Sequence, residues 1–285
     1  MIPSMPVVRD AILVERQVLA GAYLRLAFAH PEVAGGARAG QFVMIKSSLS
    51  PEPLLPRPFS VLETDPARDL FAIFLKVVGP GSRALAALRK GDTAACLGPL
   101  GRPFTEPPPE AEAVLVAGGY GIAPFLLLSR VLKARRGRVR VFYGGRTAGD
   151  LQLREPFAEL EVPLVPVSED GSIGQRGRVT EPLHDYLATA TRPVRLYACG
   201  PDAMLHAVAR VAESHDVPAE VSLDPWMGCG VGTCLGCVVR IQKAGEPSPH
   251  HRCACTEGPV FDAREVVWAG EATSRARRET VPVRA

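Results

Sequence analysis

Three cysteines stand at C-x4-C-x2-C spacing in Met227-Gly-Cys-Gly-Val-Gly-Thr-Cys-Leu-Gly-Cys237, namely Cys229, Cys234 and Cys237, and Cys253 and Cys255 follow. This is the plant-type spacing for a 2Fe–2S cluster, whose two irons need four thiolates. The gaps are filled by Gly228, Gly230, Gly232 and Gly236. A tight loop around inorganic sulfides needs left-handed backbone and close approach, which glycine permits. Its N–H groups can then point at the negatively charged sulfurs. Other uses of cysteine fit less well. Structural zinc usually uses two C-x2-C knuckles, and disulfides need an oxidising compartment. His250 and His251 precede Cys253 but do not interleave with cysteines as a Rieske centre requires. The expectation is a 2Fe–2S cluster on Cys229, Cys234, Cys237 and one later cysteine. The alternative of a different class is a zinc-binding, non-enzymatic interaction protein.

Other stretches suit phosphates and rings. Arg57-Pro-Phe-Ser-Val61 lies in a strand-like context, and Phe74-Leu-Lys-Val-Val-Gly-Pro-Gly-Ser82 runs into a helical pattern over Arg83–Leu88. Gly81 and Ser82 then sit at a helix N-terminus, where free N–H groups and the dipole favour a phosphate. Arg57 can clamp the same pyrophosphate with a bidentate fork, and the Ser60 hydroxyl can bond a ring nitrogen. Gly118-Gly-Tyr-Gly121 turns from strand into helix; it is not the G-x-G-x-x-G fingerprint, and such turns are often merely tight. In Ala198-Cys-Gly-Pro-Asp202, Pro201 and Asp202 suit the first helical turn, which puts Cys199 and Gly200 at a strand end beside any ligand. A buried structural Cys199 is the equal alternative. Cys96 reads as a buried strand cysteine.

These residues need elements to hold them. Up to about residue 104 the pattern is short alternating runs broken by Gly and Pro, as in an antiparallel barrel: Ala11–Val18, Ala22–Ala29, Gln41–Lys46, Phe59–Leu62, Leu70–Val78 and Thr93–Leu97. Thr105-Glu-Pro-Pro-Pro-Glu110 is a stiff polar break. Strands then alternate with helices: Ala113–Ala117, Phe125–Arg136, Arg138–Tyr143, Leu153–Leu160, Pro163–Val167, Val179–Leu187, Arg195–Cys199, Pro201–Ser214 and Ala219–Leu223. That order implies a parallel sheet with ligands at the carboxyl ends of its strands. The expected fold is α+β multidomain: an antiparallel barrel (1–105), which the resemblance given next implies is flavin-binding, an α/β nucleotide-binding domain (106–222), a small 2Fe–2S domain (223–270) and a loosely ordered tail (271–285) with Arg275, Arg277, Arg278 and Arg284. The cysteine region is poor in apolar residues, so the metal is expected to supply much of its folding free energy. A net charge of +3 over 285 residues does not argue for nucleic acid. There is no signal-peptide h-region and no apolar run of membrane length, and seven cysteines are an odd number. A reducing, cytoplasmic setting is expected.

With these motifs in view, residues 7 to about 223 resemble the ferredoxin–NADP reductase superfamily: Arg57-Pro-Phe-Ser60 looks like its flavin motif and Cys199-Gly-Pro201 like its nicotinamide-site motif. The C-terminal cysteine motif, followed by Cys255-Thr-Glu-Gly-Pro-Val-Phe261, is similar to the electron-transfer subunits of class 1B dihydroorotate dehydrogenases over nearly the whole chain. The resemblance implies that Arg57, Pro58, Phe59, Ser60, Phe74, Leu75, Lys76, Gly81 and Ser82 hold FAD. It further implies that Gly118, Gly119, Gly121, Cys199 and Gly200 meet NAD, with Ser60 and Cys199 as catalytic residues. Cys255 is implied as fourth ligand because it keeps the family's offset to Gly-Pro-Val-Phe; the extra Cys253 departs from the pattern. The partner implied is an FMN-containing catalytic subunit in a heterotetramer, electrons passing from dihydroorotate through FMN, cluster and FAD to NAD⁺. The small subunit of NADH-dependent ferredoxin–NADP oxidoreductase shares this layout but tends to have Asp at the position of Cys229. Sulfide dehydrogenase and sulfite reductase subunits are further alternatives. Arg146 suits either a 2′-phosphate or a solvated loop.

Overall fold

The computed structural model describes residues 8–268. The expected tail therefore lies outside the described residues. Six strands, β1 (Arg9–Val18), β2 (Tyr23–Ala29), β3 (Phe42–Ser47), β4 (Arg57–Asp65), β5 (Leu70–Lys76) and β6 (Thr93–Leu100), close a barrel in the order β1-β2-β5-β4-β3-β6. Every neighbouring pair is antiparallel. The period-2 pattern fills the interior with Leu26, Phe28, Val43, Ile45, Val61 and Ile73, all fully buried. Two short helices cover the barrel, α1 (Pro31–Gly36) and α2 (Pro80–Ala86). The sequence pattern did not flag α1, whose Pro31 start is capped by His30 Nδ1 accepting from the Val33 N–H. The pattern also places α2 three residues late. Gly79 is its N-cap, so Gly81 and Ser82 fall in its first turn.

The second sheet is built from β7 (Glu112–Gly118), α3 (Ala123–Ala134), β8 (Arg138–Gly145), α4 (Arg154–Glu159), β9 (Leu164–Ser168), β10 (Gln175–Arg176), α5 (Thr180–Thr189), β11 (Val194–Cys199), α6 (Asp202–Ser214) and β12 (Ala219–Ser222). The order is β10-β9-β8-β7-β11-β12, all parallel. Succession reverses between β7 and β11, and that switch point opens a crevice at the carboxyl ends. The polar break before this sheet is pinned rather than loose. Thr105 bonds Glu220 through its N–H (3.0 Å) and hydroxyl (2.6 Å), while Tyr197 Oη donates to the Thr105 carbonyl at 2.8 Å.

The cysteine region adds β13 (Val238–Ile241), β14 (His250–Cys253), α7 (Ala254–Glu257) and β15 (Val260–Asp262). This region is not separate from its neighbours. The last of these strands pairs antiparallel with β12 and becomes the seventh strand of the large sheet. Met227, Cys237, Ile241, Phe261, Val266 and Trp268 share one buried core with Phe42, Met44, Leu97 and Leu100 of the barrel. Each large side chain so buried contributes about 1.5–3 kcal/mol. This region borrows apolar partners from both neighbours, and that burial adds to whatever a metal contributes to its folding. Among the described residues no helix is long and apolar enough to cross a membrane.

Candidate functional site

The cysteine loop runs from Met227 to Cys237, its backbone left-handed at Gly230 (φ +76°) and Gly232 (φ +79°). The N–H groups turn inward on sulfur. Those of Val231 and Cys234 each lie 3.4 Å from Cys229 Sγ, and that of Gly232 lies 3.1 Å from Cys255 Sγ. Burial pushes the Cys229 thiol up, but these N–H groups more than reverse it and bring it down to about 6. Burial, with Cys237 alongside, raises the Cys255 thiol to about 12 against the Gly232 N–H. Cys234 is exposed, whereas Cys237 and Cys255 are buried. Cys253 caps α7 and its N–H donates to Glu257 at 3.0 Å. Of the two late cysteines, Cys255 is the one whose sulfur accepts from the loop. Among the described residues no three His, Cys, Asp or Glu converge on one metal point. The inward N–H groups and glycine-lined cradle fit a cluster.

The loop leans on the barrel. A Cβ at Gly230 would lie 2.5 Å from Met44 Cγ, and one at Gly228 would lie 3.8 Å from Leu55 Cδ1. Met44 is the cross-strand partner of Pro58, so Arg57-Pro-Phe-Ser60 occupies the next strand. Arg57 packs on Gly81, where a Cβ would meet Arg57 Cγ at 2.8 Å. Two stretches far apart in sequence thus meet as expected. One guanidinium nitrogen, Nη1, already donates to the carbonyls of Leu55 (2.9 Å) and Pro56 (3.2 Å), which orients the fork. Ser82 Oγ accepts from the N–H groups of Val78 and Gly79. Its side chain therefore shapes the turn, leaving ligand contact to backbone. Phe74 and Leu75 are buried, with Phe74 stacked on Tyr23 at 5.3 Å. Their side chains serve the core, so only their backbone can reach a ligand. Ser60 is half-buried in the ladder opposite Phe42.

At the switch point the two glycine stretches interlock. A Cβ on Gly118 would lie 2.7 Å from Met204 Sδ, one on Gly121 only 2.2 Å from the Cys199 carbonyl, and one on Gly200 3.0 Å from Gly118 Cα. Gly119 is left-handed at φ +54°. Cys199 is buried; desolvation, reinforced by Asp224, pushes its thiol up to about 12. It stays protonated at neutral pH, a neutral contact rather than a nucleophile. Lys76, assigned to FAD by resemblance, is engaged across the boundary by Asp150 at 2.7 Å. Arg146 is exposed and 3.9 Å from the same carboxylate.

Sequence reading missed Tyr23, Asp150, Tyr143 and Tyr120. The first three belong to no motif, and their roles depend on contacts 7 to 127 positions apart. Tyr120 sits inside the glycine turn and stands exposed there, a signal that was available. Asp224, two residues past the end of β12, was likewise not singled out.

Residues 224–267 match the iron–sulfur cluster binding domain of dihydroorotate dehydrogenase B, and residues 115–210 match the oxidoreductase NAD-binding domain. Over 85% of this chain and 91% of the relative, it is 36% identical to the dihydroorotate dehydrogenase B (NAD⁺) electron transfer subunit of Desulforamulus reducens. The corresponding Bacillus cereus (strain Q1) subunit is 38% identical over 80% of this chain and 86% of its own. Among solved structures, an NADH-dependent reduced ferredoxin–NADP oxidoreductase chain superposes with a TM-score of 0.80 at 30% identity. That match covers 95% of this chain and 94% of the other. With its barrel, its switch-point crevice and its C-terminal cysteine loop, the chain belongs to the family of dihydroorotate dehydrogenase B electron transfer subunits.

Proposed function

We propose that this chain is the NAD-linked half of a dihydroorotate-oxidising assembly, with FAD on residues 1–105, NAD(H) on 106–222 and a 2Fe–2S cluster on 223–270. When bound, a flavin supplies exchange of hydride with nicotinamide and of single electrons with a cluster, which neither neighbour can do for the other. The observation that carries the reading is the placing of the cysteine loop one strand from the flavin motif, Gly230 against Met44 and Met44 opposite Pro58. Arg57 and the N–H groups of Gly81 and Ser82 hold the pyrophosphate, with Pro58, Phe59, the backbone of Phe74 and Leu75, and Lys76 beside it. Ser60 bonds the flavin ring. Gly118, Gly119, Gly121 and Gly200 let a nicotinamide lie close to the backbone, and the protonated Cys199 thiol contacts it. Cys229, Cys234, Cys237 and Cys255 are the cluster ligands.

The partner is an FMN-containing catalytic subunit, paired in a heterotetramer in a reducing cytoplasm. Its docking face is the cluster rim. Trp226 (94% exposed) and Leu235 (62%) are uncovered on and beside the cysteine loop, with the exposed Leu55 next to Gly228. Clustered apolar exposure of this kind marks an interface. The match to the ferredoxin–NADP oxidoreductase chain favours one other reading, a small subunit serving ferredoxin instead of a dihydroorotate-oxidising partner.

The test is division of labour. The purified chain with FAD and cluster reduces artificial acceptors from NADH but shows no dihydroorotate-dependent reduction of NAD⁺. Adding the FMN subunit brings that activity, and a Cys234→Ser chain that keeps FAD loses it. Full activity from this chain alone, or undiminished transfer without the cluster, refutes the assignment.

A further inference from the structure

Tyr23 and Lys76 are directly opposite in the β2–β5 ladder. One rung of the barrel therefore presents a phenol and an ammonium together, the ammonium 4.8 Å from the ring centre. Both converge on one oxygen across the boundary. Tyr23 Oη donates to Asp150 Oδ1 at 2.9 Å, and Lys76 Nζ donates to it at 2.7 Å. Asp150 ends a short turn, Ala148–Asp150, that follows β8. That turn is itself fastened, since Ser172 Oγ accepts from the Ala148 N–H at 2.7 Å.

From Asp150 the contacts continue inward. Its carbonyl lies 3.1 Å from Tyr143 Oη, and the same hydroxyl lies 3.0 Å from the carbonyl of Gly119. Tyr143 is fully buried, and burial pushes its pKa up, so the phenol stays protonated and remains a donor. A continuous path thus joins the end of β5, where Lys76 lies, to the glycine turn that faces Cys199. Another ion pair across this boundary, Arg130–Glu63, uses an arginine side chain at the exposed surface. The Asp150 carboxylate is only 13% exposed, and a well-satisfied network of low accessibility holds its geometry more tightly than a solvated pair.

We infer that Asp150 is a positioning residue for hydride transfer. It fixes the Gly118–Gly121 turn, and with it the nicotinamide, at a set distance from the barrel that holds the flavin. This rests on the reading above that FAD binds the barrel. In the step so positioned, a hydride leaves NADH with its electron pair and passes to the flavin, a solvent proton completing the reduction. Misplacement by about 1 Å from a distant change can cost such a step about 100-fold.

The test compares the full-length chain with Asp150→Asn, Tyr23→Phe and the double variant. The first readout needs no FAD. Amide hydrogen exchange across Gly118–Ile122 is expected to quicken about fivefold in Asp150→Asn while strands β3 and β6 keep their protection, since loss of one network tie loosens only what it holds. The second is rapid-mixing flavin reduction at saturating NADH. The limiting rate falls about tenfold, the half-saturating NADH concentration shifts less than about twofold, and FAD content is unchanged. The double variant loses no more than Asp150→Asn, because both changes act through one carboxylate. Tyr23→Phe keeps the ring stack and supplies a milder loss of the same kind. Unchanged exchange in the turn, an unchanged limiting rate, or losses that multiply in the double variant overturn the inference. A wild-type chain that binds no FAD refutes the flavin assignment instead, and the exchange measurement still decides on Asp150.

Discussion

Gly119 and Gly121 lie two residues apart in one turn, yet alanine at each meets different physics. At Gly121 the new Cβ would lie 2.2 Å from the Cys199 carbonyl oxygen, 2.5 Å from its carbon and 2.8 Å from Gly200 N. All three are backbone atoms, and ordinary contact begins near 3.4 Å. The opposing backbone has nowhere to retreat, since Gly200 is itself pressed on Gly118. Overpacking of this kind costs about 1–3 kcal/mol, and unyielding backbone puts Gly121→Ala at about 3 kcal/mol or above, a factor of roughly 150 in the folding equilibrium. At Gly119 the nearest atom to the new Cβ is Tyr23 Oη at 4.0 Å, so the space is open and only the left-handed φ of +54° counts. That penalty is about 1–2 kcal/mol. Urea unfolding of both variants, with a common slope as the check on two-state comparison, measures the difference. NADH affinity is expected to fall steeply in Gly121→Ala and mildly in Gly119→Ala. Equal losses, or the greater loss at Gly119, would show that β7 and β11 do not approach as described.

The ligand assignment predicts that Cys253→Ser keeps its visible spectrum and iron content while Cys255→Ser loses both, because, of these two sulfurs, it is Cys255 Sγ that accepts from a loop N–H, that of Gly232. Loss of the cluster in Cys253→Ser alone would reverse the assignment. Arg57→Ala removes a charge-assisted pair worth about 1.5–3 kcal/mol, so FAD affinity measured by titration should fall roughly ten- to a hundredfold. Unchanged affinity would place the pyrophosphate away from Gly81.

Most of the architecture could be read from periodicity, because alternating and continuous apolar runs reflect one-sided and two-sided burial respectively. The candidate site was legible where a motif has local spacing, as in Cys229-x4-Cys234-x2-Cys237, or where a close backbone approach demands glycine, as at Gly121. Elsewhere local pattern was silent. Lys76 sits in a motif stretch, but its partner Asp150 is 74 positions away, and nothing in Thr147-Ala-Gly-Asp150 announces a cross-boundary contact. Helix α1 has six residues, two of them glycine, too short and too weak in propensity to register. In the cysteine region, too, local pattern showed only part of the packing. Composition counts a segment's own apolar residues, whereas its stability depends on the partners it finds.

Those partners explain a motif that served in the sequence only as a marker. Gly258-Pro-Val-Phe261 follows the last cysteine because it joins all three parts of the fold. The Gly258 carbonyl accepts from the Arg102 N–H at the end of the barrel, and the Pro259 carbonyl accepts from the Leu223 N–H as the chain leaves the sheet. Val260 and Phe261 then pair with Ser222 and Val221. Glycine is required at both ends of the barrel contact: a Cβ on Gly258 would lie 2.3 Å from the Phe261 ring, and one on Gly101 2.6 Å from Pro259 Cδ. Cys255, three residues before this junction, is therefore held by backbone bonded to barrel and sheet alike. The loop carrying Cys229, Cys234 and Cys237 reaches it through the Gly232 N–H. Three of the proposed ligand thiols come from a loop that glycine lets bend, and the fourth comes from a turn bonded to barrel and sheet. A fixed offset from Cys255 to Gly-Pro-Val-Phe follows from that anchoring, since lengthening it by one residue would swing the sulfur away from the loop that faces it.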